Sequence, residues 1–95
     1  MKPGKHRLSY SVVTRAELFA GNTASGLTTR LLAPFRELGV DRVIAERAGR
    51  IRRETGIRLP DALIAATALE HRLQVATRDT RHFERVRGIR IRALS

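Results

Sequence analysis

The stretch LPDALIAATAL, residues 59–69, decides the fold of this 95-residue chain. Between positions 62 and 69 the single polar residue is Thr67. A helix formed there is apolar on all sides, and a helix of that kind lies buried inside a protein. Asp61, beside Pro60, opens this helix, and the polar residues 70–72 form its last turn. We therefore expect it to be the centre of the fold.

Upstream of this helix the sequence predicts one strand and three helices. Residues 8–13 contain β-branched and aromatic side chains, which predict a strand. A capping box at residues 14–17 then predicts a helix through residue 20, stopped by Gly21 and Asn22. Apolar residues at helical spacing predict a second helix over residues 28–38, and Gly39 closes it. A third helix over residues 42–55 has Asp41 as its cap and Gly56 at its end, and its apolar stripe is Ile44, Ala48 and Ile51.

Downstream, residues 74–77 predict a strand and residues 80–85 a short helical turn that carries Phe83. Residues 89–94 alternate strictly, which is typical of a strand with one wet face or at a sheet edge. Strands that alternate with helices indicate an α/β fold with a parallel sheet.

The charge balance is strongly basic. Nineteen lysines and arginines face nine acids, for a net charge of +10 and a pI near 11.7. Such a chain attracts nucleic acid, an acidic protein or an anionic membrane surface, although arginine-rich coding by GC-rich DNA gives the same composition. The chain has no cysteine, which excludes disulfides, thiolate metal sites and a cysteine nucleophile. With no signal peptide or membrane span in the sequence, we expect the protein in the cytoplasm.

Three acids, Glu17, Asp61 and Asp79, each follow a predicted strand or open a predicted helix. In a parallel sheet such positions meet at one edge, where sites form. Carboxylates gathered there repel one another unless a cation neutralises them, and oxygen ligands suit Mg²⁺ or Mn²⁺. Each acid also has a purely structural explanation, because all three stand where acids cap or begin helices.

Two further groups of polar residues have more than one possible role. Arg78 and Arg81 flank Asp79 and are candidates to clamp RNA phosphates, with a solvated charged face as the alternative. No two histidines have metal-ligand spacing, so His71 and His82 are expected on solvated surfaces.

Three blocks of sequence resemble PIN-domain ribonuclease toxins of the VapC type. They are SVVTRAELFAG at residues 11–21, LPDALIAATA at residues 59–68 and ATRDTRHF at residues 76–83, in the order typical of that family. The resemblance implies an α/β fold with a parallel sheet flanked by helices, one or two bound Mg²⁺ or Mn²⁺ ions, hydrolysis of RNA and inhibition by an antitoxin protein. It implies that Glu17, Asp61 and Asp79 are metal ligands and catalytic residues, and that Thr77 hydrogen-bonds near the site.

The chain departs from the family pattern at its start. Members begin with an apolar strand that runs into Asp-Thr-Asn, whose Asp is a central ligand, and no such segment precedes residue 8. The expectation is one partial, N-terminally truncated PIN-like domain over residues 1–95, with weaker metal binding and with strand edges that favour a homodimer or pairing with a separate segment. A misassigned start codon and gene decay are equal explanations. The alternative functions are an inactive PIN-like module that binds its antitoxin or dimerises, and a basic RNA-binding domain.

Overall fold

The computed structural model describes residues 9–21 and 25–94. The chain divides into two compact units, Met1–Gly39 and Val40–Ser95. The predictions for residues 1–8 and for Asn22 lie outside the described residues.

The described part of the first unit contains two strands and two helices, β1 (Ser9–Ser11), α1 (Val12–Ala20), α2 (Ser25–Leu32) and β2 (Arg36–Leu38). The two strands pair in parallel, with Ser9 opposite Arg36 and Ser11 opposite Leu38. Leu32 and Leu38 are buried. The parallel pairing is possible because α1 and α2 carry the chain from the end of β1 back to the start of β2.

Two sequence predictions in this unit are wrong. The cap of α1 is Ser11, whose side-chain oxygen accepts a hydrogen bond from the N–H of Val13 at 3.1 Å, so the helix begins before Thr14. The helix predicted over residues 28–38 ends at Leu32, and residues 36–38 form β2 instead. Pro34 explains the second error, because its ring and its missing N–H end a helix before it.

The second unit contains α3 (Arg42–Thr55), α4 (Leu59–His71), β3 (Val75–Thr77), α5 (Arg81–Glu84) and β4 (Ile91–Ala93). Its core is built around α4, as predicted, and α3 packs along that helix. The predicted stripe of α3 and the predicted Phe83 are buried in the same cluster. The cluster consists of Ile44, Ala48, Ile51, Ile57, Ala62, Ala65, Ala66, Ala68, Val75, Phe83 and Val86.

The predicted ends of α3 are confirmed. Asp41 caps its start, accepting a hydrogen bond from the N–H of Ile44 at 2.9 Å. Gly56 ends it in the left-handed region, at φ 77°, where a residue without a side chain is favoured. None of the described helices is long and apolar enough to cross a membrane.

The α/β class with parallel strands is confirmed, and the described strands form two pairs. β3 pairs in parallel with β4, with Val75 opposite Ile91 and Thr77 opposite Ala93. Arg92 and Ala93 are exposed, in keeping with the predicted wet or edge position of the last strand. The end of β3 and the start of α4 supply the candidate site.

Candidate metal centre

Asp61 lies in the first turn of α4 and is buried, with 8% of its surface exposed. The N-terminal end of a helix carries partial positive charge, which favours a carboxylate there. A buried carboxylate also needs polar partners, because removing an ionised group from water is costly. Burial at this position fixes where the Asp61 side chain points.

Asp79 follows β3 and is held through its backbone. Its N–H donates to the hydroxyl oxygen of Thr77 at 3.1 Å, so the turn after the strand is closed by a side chain. Thr77, which was expected to hydrogen-bond near the site, thus bonds to the backbone of Asp79. The Asp79 side chain itself is 55% exposed. The carboxylate is therefore available to solvent and to a ligand.

His82, on α5, lies beside both acids. Its Nδ1 atom lies 3.0 Å from Oδ2 of Asp79 and 3.9 Å from Oδ2 of Asp61. Both carboxylate oxygens thus face one ring nitrogen. His82 is exposed, as expected, with 52% of its side chain accessible, and it also lies beside both acids. The signal in the sequence was the spacing of three residues between Asp79, which precedes α5, and His82 in its first turn.

Arg58 adds positive charge at the buried acid. Its Nε atom lies 3.4 Å from Oδ2 of Asp61, and 66% of the Arg58 side chain is exposed. At that distance and exposure the pair is a weak one. Arg58 and His82 therefore each place one nitrogen near Oδ2 of Asp61.

Glu17 lies on α1 and is exposed. It belongs to the first unit, whereas Asp61 and Asp79 belong to the second. Its approach to the other two acids stays a prediction. Its assignment as the fourth residue of a capping box is wrong, because α1 begins at Val12.

The chemistry of the pair fits a hard divalent cation. Within the described residues of the second unit, no group of three or more histidine, aspartate or glutamate side chains is arranged to hold a metal. Mg²⁺, however, keeps several waters and is usually bound by one or two carboxylates together with substrate phosphates. Two carboxylates that face a common point, one buried and one open to solvent, meet that requirement.

The arginines near the site fall into two groups. Arg78 and Arg81, predicted to contact RNA, are both exposed beside Asp79. Arg85 and Arg90 instead donate to backbone carbonyls, those of Thr55 at 3.3 Å and Arg72 at 2.7 Å. Those two carbonyls lie at helix C-terminal ends, which carry partial negative charge. Part of the arginine excess therefore stabilises the fold.

A cavity of about 500 Å³ lies at the other end of α4, near Leu69 and Glu70. Neither Asp61 nor Asp79 lines it. Arginines and glutamates share its rim, and Arg47 is paired with Glu70 there. The carboxylate pair therefore lies apart from this cavity.

Comparison with known sequences identifies relatives of this chain. The family model described as the PIN domain matches residues 5–89. Ribonuclease VapC10 of Mycobacterium tuberculosis is 48% identical over a region that covers 80% of this chain and 62% of that protein. The chain therefore spans less than two thirds of the length of this curated relative.

Comparison with solved structures gives similar chains in toxin–antitoxin complexes. A toxin–antitoxin complex from Klebsiella pneumoniae matches with a TM-score of 0.72 and 35% identity, covering 83% of this chain and 68% of that one. The DNA-bound VapBC complex from Salmonella typhimurium matches with a TM-score of 0.81 and 28% identity, covering 92% and 75%. The sequence comparison and the structure comparison thus agree: the first matches the PIN domain, and the second matches chains of toxin–antitoxin complexes.

Proposed function

The chain belongs to the PIN-domain family, and from that premise we propose that it is a metal-dependent endoribonuclease, the toxin of a toxin–antitoxin pair. The observation that carries the proposal is the pair Asp61 and Asp79, whose Oδ2 atoms face the same nitrogen of His82. The naming of a 48% identical relative as a ribonuclease supports it. The substrate is RNA and the reaction is hydrolysis of its phosphodiester bonds.

Mg²⁺ or Mn²⁺ is the proposed cofactor, with Asp61 and Asp79 as ligands and Glu17 as a third. The chemistry that such an ion supplies when bound is Lewis acidity at the scissile phosphate. The protein's own part is positional. Asp61 is buried and the Thr77 hydroxyl holds the backbone of Asp79, so the two carboxylates would hold the ion from positions set by the fold.

Arg78 and Arg81 are the proposed contacts to the RNA backbone. Both are exposed and stand on either side of Asp79 in the sequence. A guanidinium binds phosphate oxygens through two parallel hydrogen bonds, which fixes a strand as well as attracting it. The two arginines therefore suit the task of holding a phosphate next to the carboxylate pair.

The proposed protein partners are a cognate antitoxin and a second copy of the chain. The toxin–antitoxin complexes among the similar structures support the first of these. The first unit also exposes Leu18 and Phe19 on α1, at 40% and 42% of their surfaces, and apolar side chains at a surface suit a protein contact. The compartment is proposed to be the cytoplasm.

The deciding experiment measures cleavage of a labelled RNA by the chain with Mg²⁺ or Mn²⁺, and then with EDTA. We expect cleavage that EDTA stops. Asp61→Asn and Asp79→Asn should each lower the rate by about 100-fold, since Lewis acidity is worth several kcal/mol and about 1.4 kcal/mol is tenfold in rate. Glu84→Gln is the matched control, because Glu84 is an exposed acid on α5, and its rate should be unchanged.

Other outcomes identify the alternatives. Cleavage that survives EDTA, or that survives both aspartate substitutions, contradicts the proposal. RNA binding that is the same with and without metal, and that is not followed by cleavage, would identify a basic RNA-binding domain. Binding to an antitoxin without either activity would identify an inactive PIN-like module.

A further inference from the structure

His82 makes an unequal pair of contacts with the two carboxylates. Its Nδ1 atom is within hydrogen-bond distance of Asp79, at 3.0 Å, and too far for one from Asp61, at 3.9 Å. The next residue, Phe83, is buried in the core and anchors α5. The histidine ring therefore projects from a helical turn whose next side chain is buried, and its Nδ1 lies in close contact with Asp79 but not with Asp61.

The side chains of the two acids differ in how far they are exposed, and so in how far a neighbouring group could restrict them. The side chain of Asp61 is 11% exposed, so its surroundings leave it little freedom. The side chain of Asp79 is 55% exposed, and the Thr77 hydroxyl holds its backbone rather than its carboxylate. An exposed carboxylate loses rotamer freedom when it binds a cation, and a bond that already holds it reduces that cost.

We infer that His82 is a positioning residue, which holds the carboxylate of Asp79 towards Asp61 for binding of a divalent cation. This inference rests on the proposed function. Partners of this kind, which contact a ligand rather than the metal, commonly change metal affinity by about 10–100-fold when they are removed.

The close contact with Asp79 also argues against His82 as a ligand through the same nitrogen. An ionised carboxylate oxygen can only accept, so the 3.0 Å contact is favourable when Nδ1 of the ring carries a proton. A protonated ring nitrogen has no lone pair to give a metal. Because Nδ1 is the ring atom that faces both acids, the role of His82 is to orient Asp79 and not to coordinate the cation.

The test measures Mn²⁺ binding by the chain, from the electron paramagnetic resonance signal of the free ion, at one fixed neutral pH. His82→Ala should bind Mn²⁺ about tenfold more weakly than the unaltered chain. His82→Asn should recover most of that loss, because the asparagine amide N–H lies close to the place of the ring Nδ1. His71→Ala is the control, since His71 is an exposed histidine at the far end of α4 and its removal should change nothing.

Thermal unfolding of each variant shows that it is folded, and Asp61→Asn in the same assay separates two failures. Equal or tighter Mn²⁺ binding by His82→Ala overturns the inference, as does His82→Asn that binds no better than His82→Ala. If Asp61→Asn abolishes binding in that case, the proposed metal site still stands. If the unaltered chain binds no Mn²⁺, the proposed function falls and this inference falls with it.

Discussion

Three polar side chains of the first unit, Tyr10, Arg15 and Glu37, bond to one another across β1, α1 and β2. The Nε of Arg15 donates to Oε1 of Glu37 at 2.6 Å, and the hydroxyl of Tyr10 donates to the same oxygen at 2.9 Å. The parallel register explains the meeting, because Tyr10 and Glu37 are opposite each other in the two strands. These bonds lower the pKa of Glu37 below its usual 4.5, Arg15 having the larger effect, and the pKa of Arg15 is raised in turn.

This pKa shift predicts how the first unit responds to acid. Because the pKa of Glu37 is lower in the folded chain than in the unfolded one, the cluster stabilises the fold at neutral pH. That contribution is lost as the pH falls through the lowered pKa. In Arg15→Gln the pKa of Glu37 should rise towards 4.5, measured by NMR titration of its carboxyl carbon.

Arg36→Gln is the control for this titration. Arg36 is next to Glu37 on β2, and neighbouring residues of a strand point to opposite faces. Its loss removes the same charge without breaking the bonds of the cluster, so the pKa of Glu37 should change less. An equal rise in both variants would mean that net charge, and not the hydrogen bonds, sets the pKa.

The candidate site was predictable in part at the scale of single residues. Asp61 and Asp79 could be selected because one opens a helix and the other follows a strand, and such positions meet in parallel topology. His82 could not be selected by looking for pairs of histidines, since its partner is an acid three residues before it. Its contact with Asp61 joins residues that are 21 positions apart in the sequence, which no local pattern reveals.

At the scale of elements, small side chains set how α3 and α4 pack. Ala48 on α3 and Ala62, Ala65 and Ala66 on α4 are completely buried. Alanine at a helix contact lets the two backbones approach closely, and interiors leave few voids to absorb added atoms. The closeness of α3 and α4 therefore depends on the absence of larger residues at these positions.

Ala48→Leu and Ala45→Leu form a matched pair that tests this dependence. Both place a leucine on α3, at a completely buried position and at an exposed one respectively. Ala48→Leu should lower the free energy of unfolding by about 1–3 kcal/mol, because overpacking forces side chains and backbone to shift. Ala45→Leu should change it by less than about 0.5 kcal/mol. Urea unfolding measures both, and equal effects would show that the interface has room.

Helices were predictable where cap, stripe and stop agreed. The helix α3 is an example. Its bounds were indicated by the cap Asp41, by the apolar stripe at Ile44, Ala48 and Ile51, and by Gly56 at its end. The prediction for residues 28–38 followed the apolar spacing and gave too little weight to Pro34. The strand at residues 36–38 is stabilised by its pairing with β1, a contact from a distant part of the sequence. Local patterns do not contain that information.

At the scale of the whole molecule, the net charge of +10 serves more than one purpose. Arg15 and Arg47 pair with glutamates. Others donate to backbone carbonyls at or just after helix ends, namely Arg52, Arg85 and Arg90. Arginines used in this way act on the fold, so the total charge overstates the surface that is available to RNA.

The proposed RNA contacts can be separated from this general charge by salt dependence. Binding of a labelled RNA, without metal so that it stays intact, should weaken linearly in log–log form as salt rises. Arg78→Gln with Arg81→Gln should reduce the steepness of that line by about 1.4, since each phosphate contact on a single strand contributes about 0.7. Fluorescence anisotropy at several salt concentrations gives the slope.

Arg42→Gln with Arg53→Gln is the matched control, because both residues are exposed on α3 and the pair removes the same total charge. If Arg78 and Arg81 touch phosphates, the control slope should stay close to that of the unaltered chain, although the affinity falls slightly through the weaker overall field. Equal changes in the two double variants would show that RNA is attracted by diffuse charge. The arginines beside Asp79 would then have no special part in placing a phosphate at the carboxylate pair.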